Sequence, residues 1–158
     1  MKPPRIYVDT SVIGGCLDQE FAEHSNRLLE LARSGKCILL VSDVVIRELE
    51  KAPEEVLDVL KSLNAECVER VDLNDDAVDL RNAYLDAHIL VPTWIDDLTH
   101  VAMATVVRAD AIVSWNFKHI VRLDKMKAYN RVNLANGYGI LTIISPMEVM
   151  VNEEESGI

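Results

Sequence analysis

The stretch Arg5-Ile6-Tyr7-Val8-Asp9-Thr10-Ser11 decides how the rest of the chain is read. It is a short, almost wholly apolar run that ends on an acid and two hydroxyl residues. Such a run is a strand buried on both faces, as in parallel sheets, with Asp9 at its carboxyl end. Thr10 or Ser11 is then placed to cap whatever helix follows. Gly14-Gly15 loosens that helix or breaks it.

Working outward, the same alternation repeats. Leu28, Leu29, Leu31 and Ala32 fit a helix from about Ala22 to Ser34, with Gly35 as its stop. Cys37 to Val41 is a second buried strand, and Ser42 caps a helix carrying Val44, Val45, Glu48 and Leu49. Pro53 ends that helix and opens a short one running to Leu63. Glu66 to Leu73 reads as a third strand, and Asn74 caps a helix to about His88. Thr93 to Arg108 is the next helix, and Ala111 to Ser114 a short strand. A basic helical or irregular stretch covers Lys118 to Arg131. Ile140 to Ile144 is the last strand, and Pro146 opens a short terminal helix. The pattern predicts an α/β fold: three layers, α/β/α, around a central, mostly parallel sheet of about five strands, with about seven helices. No linker or repeat divides the chain. Residues 1–150 are therefore expected to form one domain, and 151–158 an acidic, frayed tail.

The 158 residues suffice for one domain with a substantial core, and with aromatics at 5% that core must be aliphatic. The formal net charge of −10 argues against tight binding to a phosphate backbone by charge alone. It does not argue against an enzyme that holds divalent cations, which invert the local electrostatics. Cys16, Cys37 and Cys67 are odd in number and far apart, which fits reduced thiols rather than a disulfide framework. There is no secretory signal and no apolar run long enough to span a bilayer, so no membrane partner and a cytoplasmic location are expected.

In open α/β sheets, sites form in the crevice beyond the carboxyl ends of the strands. That rule selects Asp9, Glu48, Asp97 and Asn116. Three carboxylates converging with a carboxamide repel one another and raise one another's pKa. The usual resolution is a hard, oxygen-seeking cation, Mg²⁺ or Mn²⁺. Such an ion activates water and offsets charge in phosphodiester hydrolysis, so no protein nucleophile is required. Competing signatures are absent: no phosphate-binding loop, no dinucleotide glycine pattern and no H-E-x-x-H. Each acid also has an ordinary reading, as a helix cap for Asp9, a solvated face for Glu48 and a dipole partner for Asp97. The neighbouring Asp96 competes with Asp97 for the ligand role.

Four segments together resemble the PIN domain family. They are Tyr7-Val-Asp9-Thr-Ser11, Ser42-Asp-Val-Val-Ile-Arg-Glu48-Leu, Asp97-Leu-Thr-His-Val-Ala102-Met-Ala104 and Ser114-Trp-Asn116-Phe. Their order and spacing match from Ile6 to about Ile144, nearly the whole chain. The resemblance implies a Mg²⁺- or Mn²⁺-dependent RNA endonuclease leaving a 5′-phosphate and a 3′-hydroxyl. It further implies a VapC-like toxin of a type II toxin–antitoxin pair, dimeric and inhibited by an antitoxin protein. Carried over, Asp9, Glu48 and Asp97 are the metal ligands. Asn116 stands where the family's usual pattern has a fourth acid.

Around these lie secondary candidates. Thr10 and Ser11 are candidates to orient a water or the metal. Trp115, Lys118, His119 and Arg122 are candidate RNA contacts, and His100 is a weaker one. For Trp115 a place in the core competes with stacking on a base. The stretch Lys118, Arg122, Lys125, Lys127 and Arg131 is either a steering lip for RNA or a wet face. Two other functions compete with the nuclease. One is a PIN-like RNA- or protein-binding module that has lost catalysis, which Asn116 and the acidic charge favour. The weaker one is a small-molecule phosphatase.

Overall fold

The computed structural model describes residues 2–149, so the expected acidic tail at 151–158 lies outside the described residues. The first strand, β1 (Arg5–Val8), is where the sequence places it and sits in the middle of the sheet. The strands β2 (Ile38–Ser42), β3 (Val68–Val71), β4 (Ala111–Val113) and β5 (Thr142–Ile144) complete an order β3-β2-β1-β4-β5. Every pairing is parallel, so the sheet is wholly rather than mostly parallel.

The pleat divides the core. Ile6, Val8, Leu39, Val41 and Val113 face one layer of helices; Tyr7, Leu40 and Ile112 face the other. The first layer holds α1 (Thr10–Gly15), α2 (Ala22–Arg33) and α4 (Glu54–Lys61), while α3 (Asp43–Glu50) sends Val45 and Leu49 to it and Val44 to the opposite side. The second layer holds α5 (Asp75–Asp86), α6 (Ile95–Val106) and α7 (Leu123–Ala135). Helix α6 is the most enclosed, with Leu98 to Thr105 buried without a break. A helix buried all round explains its run of small and apolar residues.

Local rules account for the ends. Ser42 Oγ accepts from Val45 N at 3.1 Å, and Asn74 Oδ1 accepts from Ala77 N at 2.9 Å, so both expected caps form. Gly35 takes φ +77° just past α2, the left-handed stop that favours glycine. Thr10 and Ser11, by contrast, are not caps. They lie inside the first turn of α1, whose N-cap position is Asp9; the Thr10 hydroxyl donates to Glu48, and that of Ser11 donates to Asp9 and accepts from Trp115 N. Gly15, the last residue of α1, is a glycine for a packing reason: a Cβ there would lie 2.6 Å from Ser25 Oγ and 2.8 Å from Trp115 Nε1.

Candidate acidic site at the switch point of the sheet

Sequence-adjacent strands leave β1 in one direction and β4 continues in the other, so the crevice between the carboxyl ends of β1 and β4 is the topological switch point. Asp9 occupies it. Its carboxylate is 5% exposed and is held by two hydroxyls: Ser11 donates to Oδ1 at 2.6 Å and Ser114 to Oδ2 at 2.6 Å. Both hydroxyls are themselves fixed, since Ser11 Oγ accepts from Trp115 N and Ser114 Oγ from Asn116 N, each at 2.9 Å. Two neutral donors do not repay the burial of a charge. Burial raises the Asp9 pKa above the ordinary carboxylate value, against the opposing pull of the nearby His100 charge and the hydrogen bonds to Ser11, Ser114 and Val12.

Glu48 reaches the same region from α3. Its Oε1 accepts from Thr10 Oγ1 at 3.0 Å and lies 2.7 Å from His100 Nε2. His100 comes from α6, one turn beyond Asp97, and its other ring nitrogen lies 2.7 Å from the Tyr7 hydroxyl. That hydroxyl donates to Ser42 Oγ at 2.8 Å. With its proton so used, Tyr7 can only accept from His100 Nδ1, while Nε2 donates to Glu48. Both ring nitrogens then carry protons, the pattern of an imidazolium. The electrostatics agree. Burial alone would lower the His100 pKa, but the bond to Glu48 and the charges of Asp9, Glu48 and Asp97 raise it on balance. Burial would raise the Glu48 pKa, but His100, Thr10 and Lys51 hold it below the ordinary range.

Asp97 stands at the start of α6, and its Oδ2 lies 2.8 Å from His119 Nδ1. Asn116 follows β4; its Oδ1 accepts from His119 N at 2.9 Å, so its carbonyl is committed to shaping the turn. Glu48, Asp96, Asp97, Asn116, Lys118 and His119 share one open cleft of about 500 Å³ with Thr93 and Trp94. The structure thus gathers Asp9, Glu48, Asp97 and Asn116 at one end of the sheet, and it adds Lys118 and His119 to them.

Three candidates are placed elsewhere. Trp115 is buried, stacked on Phe21 at 4.3 Å between ring centroids, and donates Nε1–H to Ser25 Oγ at 2.8 Å, so it has no face for a base. His100 is buried, bonded to Glu48 and Tyr7, and does not line the cleft. Arg122 pairs with Asp124 at 2.7 Å beside α7 and does not line the cleft. Residues that the sequence did not single out include Ser114, Tyr7 and Trp94. Ser114 sat in the quoted fourth motif. Trp94 carried one local signal, a tryptophan directly ahead of the Asp96-Asp97 pair.

The donor set suits a hard divalent cation in kind: carboxylate oxygens from β1, α3 and α6 around a cleft, one of them a buried carboxylate short of positive charge. It does not suit one in its present arrangement. Among the described residues no three His, Cys, Asp or Glu side chains lie close enough together to hold a metal ion. Glu48 is turned to His100 and Asp97 to His119, so two of the three acids must leave or share a histidine to meet Asp9 around one ion.

No protein-family model matches the sequence, and no curated protein is significantly similar to it. Solved structures are similar in fold. VapBC2 from Rickettsia felis, bound to a DNA fragment from their promoter, superposes with a TM-score of 0.60 at 14% identity, covering 89% of this chain and 98% of that one. FitAcB from Neisseria gonorrhoeae gives 0.56 at 13% identity, covering 91% and 99%. VapC20 from Mycobacterium tuberculosis, a toxin that cleaves the sarcin–ricin loop, gives 0.52 at 13% identity, covering 86% and 98%. No described helix is long and apolar enough to cross a membrane. The likenesses span nearly the whole of each of those chains and show the fold: a parallel α/β sheet arranged as in these solved structures.

Proposed function

We propose that this chain is a metal-dependent RNA endonuclease and the toxin of a toxin–antitoxin pair. One observation carries the reading: Glu48, Asp97 and Asn116 line one cleft and Asp9 ends the central strand β1 at the switch point, in a fold shared with a sarcin–ricin loop cleaving toxin. Asp9, Glu48 and Asp97 would hold Mg²⁺ or Mn²⁺. When bound, such an ion lowers the pKa of water and offsets charge on the phosphodiester. Ser11 and Ser114 fix the Asp9 carboxylate at the end of β1, and Thr10 helps to fix that of Glu48. His119 and Lys118 bring donors to the phosphate side of an otherwise acidic cleft. Asn116 shapes the turn that presents them.

The test is a Mn²⁺ and Mg²⁺ titration read by thermal stability and by cleavage of a mixed RNA pool. Cleavage and metal stabilisation are expected in the wild type, and both are expected to vanish in Asp9→Asn and Asp97→Asn with the fold intact. Retained metal-dependent cleavage in both variants sinks the assignment. A second reading has its own support: Asn116 carries no charge, and Glu48 and Asp97 are each clasped by a histidine. On that reading the chain is a PIN-like binding module, and it shows no metal response. The toxin role further predicts a homodimer and an antitoxin partner, measurable as mass in solution and by co-purification with a co-expressed antitoxin.

A further inference from the structure

We propose that Trp94 is a stacking platform for an unpaired RNA base, which brings the adjoining phosphodiester over the carboxylates of the cleft. The fate of that phosphodiester rests on the endonuclease reading; the platform itself does not.

The two tryptophans have opposite fates. Trp115 is 7% exposed, whereas Trp94 is 42% exposed at the rim of the cleft. Trp94 ends the 3-10 turn Pro92–Trp94, just before Asp96 and Asp97 in α6. Pro92 fixes the turn at its start, and Trp94 N donates to Val91 O at 3.0 Å, so the backbone that carries the ring is set by the turn. The His119 ring lies 4.6 Å away, tilted by 40°, and the Lys118 ammonium stands 5.9 Å from the Trp94 ring centre. His119 in turn bonds Asp97. A ring that is 42% exposed, a cation over it and a carboxylate bonded to the neighbouring His119 thus form one continuous strip.

Single-stranded nucleic acids are bound by such a strip, with bases on aromatic faces and the backbone on cations. A duplex hides its base faces, so the platform selects unpaired nucleotides. Charge makes stacking more important here than usual. With a net charge of −10 the chain gains little from counterion release, and stacking supplies attraction that does not depend on it.

Because Trp115 is buried, a fluorescence change on adding RNA reports Trp94. The protein is titrated with mixed-sequence single-stranded RNA in chelator, where no cleavage occurs. Quenching is expected in the wild type and is expected to be lost in Trp94→Ala, with binding about tenfold weaker. Trp94→Phe should recover part of that loss. An abasic strand of equal length should bind wild type and Trp94→Ala alike, and circular dichroism checks that both variants fold. Equal RNA affinity in wild type and Trp94→Ala overturns the platform. So does a wild type that binds no RNA, which would leave Trp94 to a protein partner. Quenching without cleavage once Mn²⁺ is restored keeps the platform and removes the endonuclease. Cleavage with an unchanged KM in Trp94→Ala does the reverse.

Discussion

Two histidine–carboxylate pairs flank the cleft, with nearly the same bond length and very different surroundings. His100–Glu48 is 2.7 Å and His119–Asp97 is 2.8 Å. The inner histidine is spoken for on both nitrogens, by Glu48 and by a Tyr7 hydroxyl that is anchored to Ser42. The outer one is bonded to Asp97 and lies against the exposed Trp94 ring. The inner pair is part of the scaffold that joins β1, α3 and α6, while the outer pair faces the opening. Bond length does not separate a structural pair from a working one; the partners of the second nitrogen do.

The largest expected effect tests that contrast directly. His100→Ala strips a buried charge partner from Glu48 and leaves a void beside Tyr7, at a cost of about 3 kcal/mol. His119→Ala, which removes a ring that is buried but borders the open cleft, should cost less, about 1 kcal/mol. Urea denaturation of both variants measures the difference, and equal losses would break the comparison.

Next comes pH, read on the metal-free protein. The folded pKa of His100 is raised, so its contribution is full below the ordinary histidine value and is lost as pH rises through the folded one. The folded pKa of Glu48 is lowered, so its contribution is present above the ordinary carboxylate value and is lost as pH falls through the folded one. The pair therefore contributes most between about pH 4.5 and 6.5. Asp9 has a raised folded pKa, so its contribution is full below the ordinary carboxylate value and is lost as pH rises through the folded one and the buried carboxylate becomes charged. The stability gap between wild type and His100→Asn should narrow above neutral pH. A gap that stays constant to pH 9 would mean that the inner histidine is neutral.

The smallest effect concerns Thr10. Its bond to Glu48 is neutral on the donor side, and the Glu48 side chain is 34% exposed, so water can replace it. Thr10→Ala should cost no more than about 1 kcal/mol. It should lower Mn²⁺ affinity more than it lowers stability, as seen by comparing thermal shifts with and without the ion. An unchanged metal response would reduce Thr10 to an ordinary helix residue.

Much of the molecule is legible from local sequence. The apolar runs and their flanking caps locate every strand and six of the seven helices, and the cap bonds at Ser42 and Asn74 form as the spacing suggests; α7, within a stretch whose basic residues leave helix and irregular chain undecided, starts at Leu123 and runs on to Ala135. The rule that sites lie beyond the carboxyl ends of strands selected Asp9, Glu48, Asp97 and Asn116, which the fold then gathers. The helix boundary at α6 was read two residues early, because Pro92 starts a 3-10 turn that propensity does not separate from a helix.

Composition and periodicity determined which runs become strands and helices and in what order the elements follow, since both depend on near neighbours in the chain. They did not determine which tryptophan is exposed, which histidine is enclosed, or where the hydroxyls of Thr10 and Ser11 point. Those outcomes depend on pairings 52 residues apart, as for His100 and Glu48, or 104 apart, as for Ser11 and Trp115. Only the packing of α3, α6 and β4 around the end of β1 sets such distances, because a side chain's partner is chosen by the geometry between elements and not by its own neighbours in sequence.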